Sequence, residues 1–297
     1  MKHISVCVCT YRRSELLKSL LRELELQETD GMFSFSIIIV DNDRERSSER
    51  VVSEFRTKMA IPVEYHVEPK QNIALARNMA IEYATGNFVA FIDDDESPGK
   101  RWLLTLFEAC NKHNVDGVLG PVHPRYVETP PAWVIAGKFY DRPTYPTGLV
   151  IDWRKGRTGN TLLRREIFTG IAPPFRPEFR TGEDQDFFRR MIEKGKVFTW
   201  CDEAAVFEVV TPIRWNRVFM LKRALLRGYT SLAHPTSAMR EILTSAVAAP
   251  VYALALPFAL AFGQGRFMSL LVRLFDHLGR LLAFVGINPV REPYVTT

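Results

Sequence analysis

Two hydrophobic periods alternate over the first 120 residues of the chain. Residues 4–9 (ISVCVC) form a short, largely apolar run, as a strand buried on both faces requires. Ser14 then stands where a helix cap belongs, ahead of Leu16, Leu17, Leu20, Leu21 and Leu24 at helical spacing. The pattern repeats: 36–40 (SIIIV) predicts a second strand, 47–58 a polar helix and 63–67 a third, weaker strand. A helix over 73–84 with Gly86 as its stop follows, then a fourth strand over 88–92 (FVAFI), a helix over 100–114 and the start of another strand at 117–119. Strand and helix in this rhythm predict an α/β domain with a mostly parallel sheet flanked by helices.

Beyond that point the pattern changes twice. From 121 to 157 prolines, aromatics and basic residues crowd together, which predicts an irregular, ordered surface. Strands over 161–163 and 197–200 bracket a helix that runs from about 182–184 to Gly195. The 21 residues of 242–262 then carry no charged side chain. A helix of that length crosses a bilayer, which needs about 20 residues, and Pro250 and Pro257 are predicted to kink it. Within the apolar stretch 267–287, Arg273, Asp276, His277 and Arg280 fall on one helical face, predicting an amphipathic helix at a membrane surface. Arg214, Arg217, Lys222, Arg223, Arg227 and Arg240 supply the basic flank of a cytosol-facing anchor. The predicted division is a catalytic domain over 1–212, with halves meeting near 120, and a helical membrane-associating region over 213–297. The rival for the tail is a buried helical hairpin in a soluble homo-oligomer.

Composition narrows the class. Of 297 residues 46% are hydrophobic and 25% charged, so a packed core is expected and wholesale disorder is excluded. The net charge of +5 is mild: it suits a nucleotide phosphate or an acidic lipid surface, and is no nucleic-acid signature. Cys7, Cys9, Cys110 and Cys201 form no CxxC pair and are expected to be small buried hydrophobes in a reducing compartment. The first apolar run is too short for a signal peptide, so the N-terminal part is expected in the cytosol.

The chemistry is expected beyond the carboxyl ends of the strands, where open parallel sheets bind ligands. The first strand ends in Thr10-Tyr11-Arg12-Arg13, the second in Asp41-Asn42-Asp43 and the fourth in Asp93-Asp94-Asp95-Glu96. Four consecutive acids repel one another unless a cation neutralises them, and hard oxygen donors suit Mg²⁺ or Mn²⁺. Arg77, one helix upstream, has the reach to join them. No GxGxxG follows the first strand, and no GxxxxGK[ST], GxSxG or HExxH is present, which excludes dinucleotide, P-loop, ordinary α/β-hydrolase and zincin readings.

These clusters, VCVCTYRR (6–13), IIIVDND (37–43), NIALARNMAIEYATGNFVAFIDDDE (72–96), GNTLLRR (159–165) and GEDQDFFRRM (182–191), resemble the inverting family-2 nucleotide-sugar glycosyltransferases. The resemblance spans roughly 3–210 and is strongest to bacterial enzymes that extend lipid-linked exopolysaccharides, including succinoglycan-type glucosyltransferases. It implies a GT-A, Rossmann-like fold. It also implies that Thr10, Tyr11 and Arg12 line the nucleotide pocket, that Asp41 hydrogen-bonds the base, and that Arg77 and Asn78 help hold the nucleotide. Asp93 would meet ribose or sugar hydroxyls, with Asp94 beside it among the donor-binding residues, Asp95 would hold the metal, and Asp184 would be the catalytic base. Asn160, Glu183 and Trp133 are candidates for the donor sugar or acceptor; Trp102 and Trp153 are further stacking candidates. The chain departs from the family pattern in DND at the second strand, in Phe207-Glu208 and in lacking QxxRW, which favours addition of one sugar per encounter. The implied partners are a UDP-sugar, a polyprenyl-diphosphate-linked saccharide and membrane lipids, and the implied place is the cytoplasmic face of a bacterial inner membrane, with 242–287 as anchor. Two alternatives fit the acidic clusters alone: a metal-dependent nucleotidyltransferase and a non-catalytic membrane-bound nucleotide-sugar sensor.

Overall fold

The computed structural model describes residues 1–179, 181–232 and 238–290. They form two compact units. The first comprises 1–124, 142–177 and 183–209; the second comprises 125–141, 178–182 and the chain from 210 onward. The boundary predicted near 212 thus falls at 209/210, and two segments assigned from sequence to the catalytic domain belong to the second unit.

In the first unit β1 (Lys2–Thr10), α1 (Ser14–Glu25), β2 (Phe33–Asp41), α2 (Glu49–Arg56), β3 (Val63–Val67), α3 (Ile73–Tyr83) and β4 (Phe88–Phe91) follow the predicted order. Next come β5 (Glu96–Pro98), α4 (Trp102–His113), β6 (Gly117–Leu119) and β7 (Val122–Tyr126). A short α5 (Ala132–Gly137), which belongs to the second unit, precedes β8 (Thr161–Arg164), α6 (Glu183–Glu193), β9 (Phe198–Trp200) and β10 (Val206–Val210). The seven-stranded sheet has the order β3-β2-β1-β4-β8-β6-β9. All its pairings are parallel except those of β8, which runs antiparallel to both β4 and β6. A second sheet, β5-β10-β7, was not predicted: β5 hides in the tail of the acidic run and α5, β7 and β10 are short.

Strand alternation explains why whole runs are apolar. Ile4, Val6 and Val8 of β1 and Ile37 and Ile39 of β2 face Leu17, Leu20, Leu21 and Leu24 of α1 and Leu103 to Phe107 of α4. Cys7, Ile38, Val40 and Phe91 face the other way, onto Ala74, Ala76 and Ala80 of α3 and Phe187, Phe188 and Met191 of α6. Each large side chain so enclosed contributes about 1.5–3 kcal/mol of burial, and a one-residue register slip would turn every one of them to the wrong face. All four cysteines are free and three are buried, as expected of small hydrophobes.

The second unit is helical. It contains α7 (Arg217–Ser231), α8 (Ala238–Ala261) and α9 (Gln264–Phe284). Its packing depends on glycine: a Cβ on Gly228 would stand 2.0 Å from the Asp276 carbonyl oxygen, and one on Gly279 would stand 2.3 Å from that of Leu225. The polar face of α9 is turned onto its two neighbours. Asp276 pairs with Arg227 of α7, His277 Nδ1 lies 3.0 Å from the Ser245 hydroxyl of α8, and Arg280 donates to Ser231 at 3.1 Å. The face left apolar and exposed is on α8, where Leu243, Val247, Val251, Leu254 and Phe258 recur at helical spacing. The helical segment Met239–Ala261 is long and apolar enough to cross a membrane, and it continues through Pro250 and Pro257.

Candidate active site

The carboxyl ends of β1, β2 and β4 bring three of the predicted clusters to one sheet edge. Asp93, the first acid after β4, is the most open of its group, with its side chain 45% exposed. Its Oδ1 lies 3.6 Å from the Arg77 guanidinium. Arg77 is buried on α3 and also pairs with Glu183 at the start of α6. Burial lifts the Glu183 carboxyl to about 7, against the pull of Arg77 and with the charge of Asp184 adding to the rise. Arg77 is therefore the tie between the FVAFI acids and the GED stretch, which are 90 residues apart in sequence. Asp184, half-buried in the first turn of α6, accepts from the Gln185 N–H at 2.8 Å through Oδ1. Two residues on, Asp186 is fully buried and clasped by Arg190 at 2.8 Å, Arg189 at 3.3 Å and Arg176 at 3.6 Å, which fixes the helix that presents Asp184.

The other acids of the run are braced. The Thr10 hydroxyl donates to Asp94 at 2.8 Å, and one Arg13 nitrogen lies 3.2 Å from both Asp94 and Asp95. Burial raises the Asp94 carboxyl above its ordinary range, against Arg13 and Thr10. Arg13 was missed from sequence although it stands next to the residues chosen, because nothing in TYRR says which arginine turns inward. Asp95, the expected metal ligand, is thus held by a cation of the protein itself. Arg12, at φ +54°, points the other way; it pairs with Asp43 at 3.0 Å and lies over the Tyr11 ring at 5.2 Å, leaving Tyr11 and Arg12 open at the sheet edge.

Four of the expected contact residues already have partners inside the protein. Asp41 has no exposed surface; its oxygens accept from the Ser48 N–H, the Tyr65 hydroxyl and the Asp43 N–H, so it shapes the loop after β2. Asn78 exchanges two hydrogen bonds with the Phe175 backbone, at 2.7 and 2.8 Å, and so anchors a loop. Asn160 is also without exposure: it donates to the Pro121 and Ala204 carbonyls and accepts from Trp102 Nε1, which is itself buried. Thr10 is buried, with its hydroxyl turned to Asp94. Trp133 belongs to the second unit, where it packs edge-on against Phe139 under the Arg217 guanidinium.

Among the described residues no three His, Cys, Asp or Glu side chains are already gathered as a metal cage. The oxygens nonetheless converge. Gly159 lies where a Cβ would stand 2.8 Å from Glu96 Oε1 and 2.9 Å from Asp93 Oδ2, so glycine keeps that point open. Glu96 Oε1 is buried without a hydrogen-bond partner among the described residues, and burial together with the charge of Asp93 holds its carboxyl well above the usual range. An orphaned buried oxygen among hard donors fits a divalent cation.

Comparison with known proteins gives the family and the fold. The chain is 32% identical over 300 residues to the succinoglycan biosynthesis protein ExoM of Rhizobium meliloti (strain 1021), covering 98% of this chain and 95% of that one. It is 25% identical over 247 residues to the glycosyltransferase AglE of Haloferax volcanii, covering 77% and 78%. The crystal structure of S. aureus TarS 1-349 in complex with UDP-GlcNAc superposes with a TM-score of 0.56 over 98% of this chain and 93% of that one, at 16% identity, and so shares the fold. Residues 5–171 match the family model "Glycosyl transferase family 2"; a GT-A-like sheet with its acids at the carboxyl edge and near-full-length identity to one relative place this chain in that family of glycosyltransferases.

Proposed function

We propose that the chain transfers a sugar from a UDP-sugar to a lipid-linked saccharide, with inversion at the anomeric carbon, at the cytoplasmic face of a bacterial inner membrane. Family membership displaces the nucleotidyltransferase and the non-catalytic sensor. The observation that carries the reading is the juxtaposition of Asp93, Arg77, Glu183 and Asp184 at one sheet edge. The UDP donor is supported by the UDP-GlcNAc complex of TarS, and a role in exopolysaccharide or another surface glycan by the name of the Rhizobium relative. The apolar face of α8 supports the membrane and, with it, a polyprenyl-diphosphate-linked acceptor.

In this reading the acceptor hydroxyl loses its proton to the Asp184 carboxylate as its oxygen attacks the anomeric carbon from the face opposite the leaving diphosphate. In-line attack inverts the centre. Arg77 holds Glu183 and Asp93 in place, so the base and the residue that meets the sugar hydroxyls keep a fixed spacing. Asp93, Asp95 and Glu96 are the residues that would hold Mg²⁺ or Mn²⁺, and the ion's chemistry there is neutralisation of charge on the departing diphosphate. Asp184→Asn is expected to lower transfer by at least about a hundredfold, the usual share of a general base, while UDP affinity stays unchanged by calorimetry. Undiminished turnover would remove Asp184 from the base's role.

A further inference from the structure

A cleft of about 80 Å³ opens beside the site, between the carboxyl ends of β6 and β9 and the stretch 142–159. Its lining contains four cationic side chains, Arg142, Arg154, Lys155 and Arg157, set against Tyr145 and Trp200, and no acid. Arg142 is paired with Glu208 at 2.5 Å and Arg154 with Asp152 at 3.4 Å. The Lys155 ammonium lies 4.7 Å from the Tyr145 ring centre. Arg157 makes no ion pair or hydrogen bond among the described residues. It is open to solvent, yet the surrounding protein and then the like charge of Arg142 lower its pKa. Glu208 meets the charge of Arg142, whereas the charges of Asp184 and Glu208 reach Arg157 without pairing with it, which leaves Arg157 and Lys155 as the cations open to an added anion.

Size and place then restrict the anion. A cleft of this size suits a compact anion such as one carboxylate or one phosphate group. It lies at the β6–β9 end of the sheet, whereas the Thr10–Arg12 loop and the β2 loop lie at the other end. Gly159 belongs to its wall and also faces the Asp93 and Glu96 oxygens. Asp184 is near enough for its charge to act on Arg157. What binds there is therefore beside the carboxylate that the reacting hydroxyl must reach.

We infer that this cleft is an acceptor subsite for a single oxyanion, a carboxylate or phosphate carried by the acceptor next to the hydroxyl that receives the sugar. The inference rests on the proposed transfer reaction and adds the chemical class of its acceptor. The phosphate could belong to a lipid diphosphate or a phosphoglycan and the carboxylate to an acidic sugar; the shared feature is one compact anion.

The test titrates full-length protein with inorganic phosphate and with glucuronate by calorimetry, each with and without saturating UDP, in the wild type, Lys155→Gln and Arg157→Gln. At least one probe is expected to bind with the same affinity whether or not UDP is present. Each variant should weaken it about tenfold or more, the size of a lost charge-assisted hydrogen bond, with UDP affinity unchanged. Preference for phosphate would assign the group to a diphosphate or phosphoglycan, and preference for glucuronate to an acidic sugar. Displacement of both probes by UDP would make the cleft part of the donor diphosphate site and overturn the inference. So would undiminished binding in both variants, or binding of neither probe. Failure of UDP itself to bind would strike the donor reading instead, and the UDP-free titrations would still decide the cleft.

Discussion

At the scale of single residues, the site is organised by arginines that share carboxylates. Arg77 reaches Asp93 and Glu183, and Arg13 reaches Asp94 and Asp95, so two buried or half-buried cations hold four acids. Glu183 exposes the cost of this arrangement to measurement. Its carboxyl titrates near 7 in the folded chain, against an ordinary value of 4.5. Between those two values the folded chain keeps a proton that the unfolded chain has released, so Glu183's contribution to stability falls as pH rises across that window. The melting temperature of Glu183→Gln, which cannot titrate, should therefore gain on the wild type as pH rises from about 4.5 to about 7. A constant difference between the two melting curves would show that the carboxyl is not perturbed. Sequence could name this residue's type but not its burial, and the same gap hid the partners of three other expected contact residues. Asp41, Asn78 and Asn160 have the chemistry to meet a ligand, yet backbone groups had already claimed it.

At the scale of elements, the parallel strands and their covering helices were legible because buried runs and helical spacing are local signals. The pieces missed, β5, α5, β7 and β10, are three to six residues long, and the first three lie in the acidic run and the proline-rich stretch, whose turn signals mask them. The polar stripe of α9 was legible too, but not what it meets. Its residues are periodic, but their partners Arg227, Ser231 and Ser245 stand more than thirty positions earlier. That packing also yields a prediction in which two effects oppose. Gly228→Ala or Gly279→Ala would raise intrinsic helix propensity by about 1 kcal/mol. The new methyl, however, would meet backbone atoms of the facing helix at 2.0 to 2.3 Å, where nothing flexible can yield. Overpacking of that kind costs about 1–3 kcal/mol, so each variant should melt below the wild type. A raised melting temperature would mean that α7 and α9 are not in contact there.

At the scale of the whole molecule, the exposed apolar stripe of α8 needs a non-aqueous neighbour. Full-length protein is expected to float with vesicles of phosphatidylethanolamine and phosphatidylglycerol, and to remain bound at high salt because the contact is apolar. Val247→Asp with Leu254→Asp, both on the exposed face, should release it; unchanged flotation of this double variant would leave α8 without a lipid role. A different consequence follows from the reversed strand β8. Its neighbours deliver their following loops to the reacting edge, but β8 delivers the loop that precedes it, carrying Arg157 and Gly159, and sends its far end to the back of the sheet. Drift in length among descendants of this chain is thus most hazardous just before residue 161, on the side of β8 opposite to that of the surrounding strands.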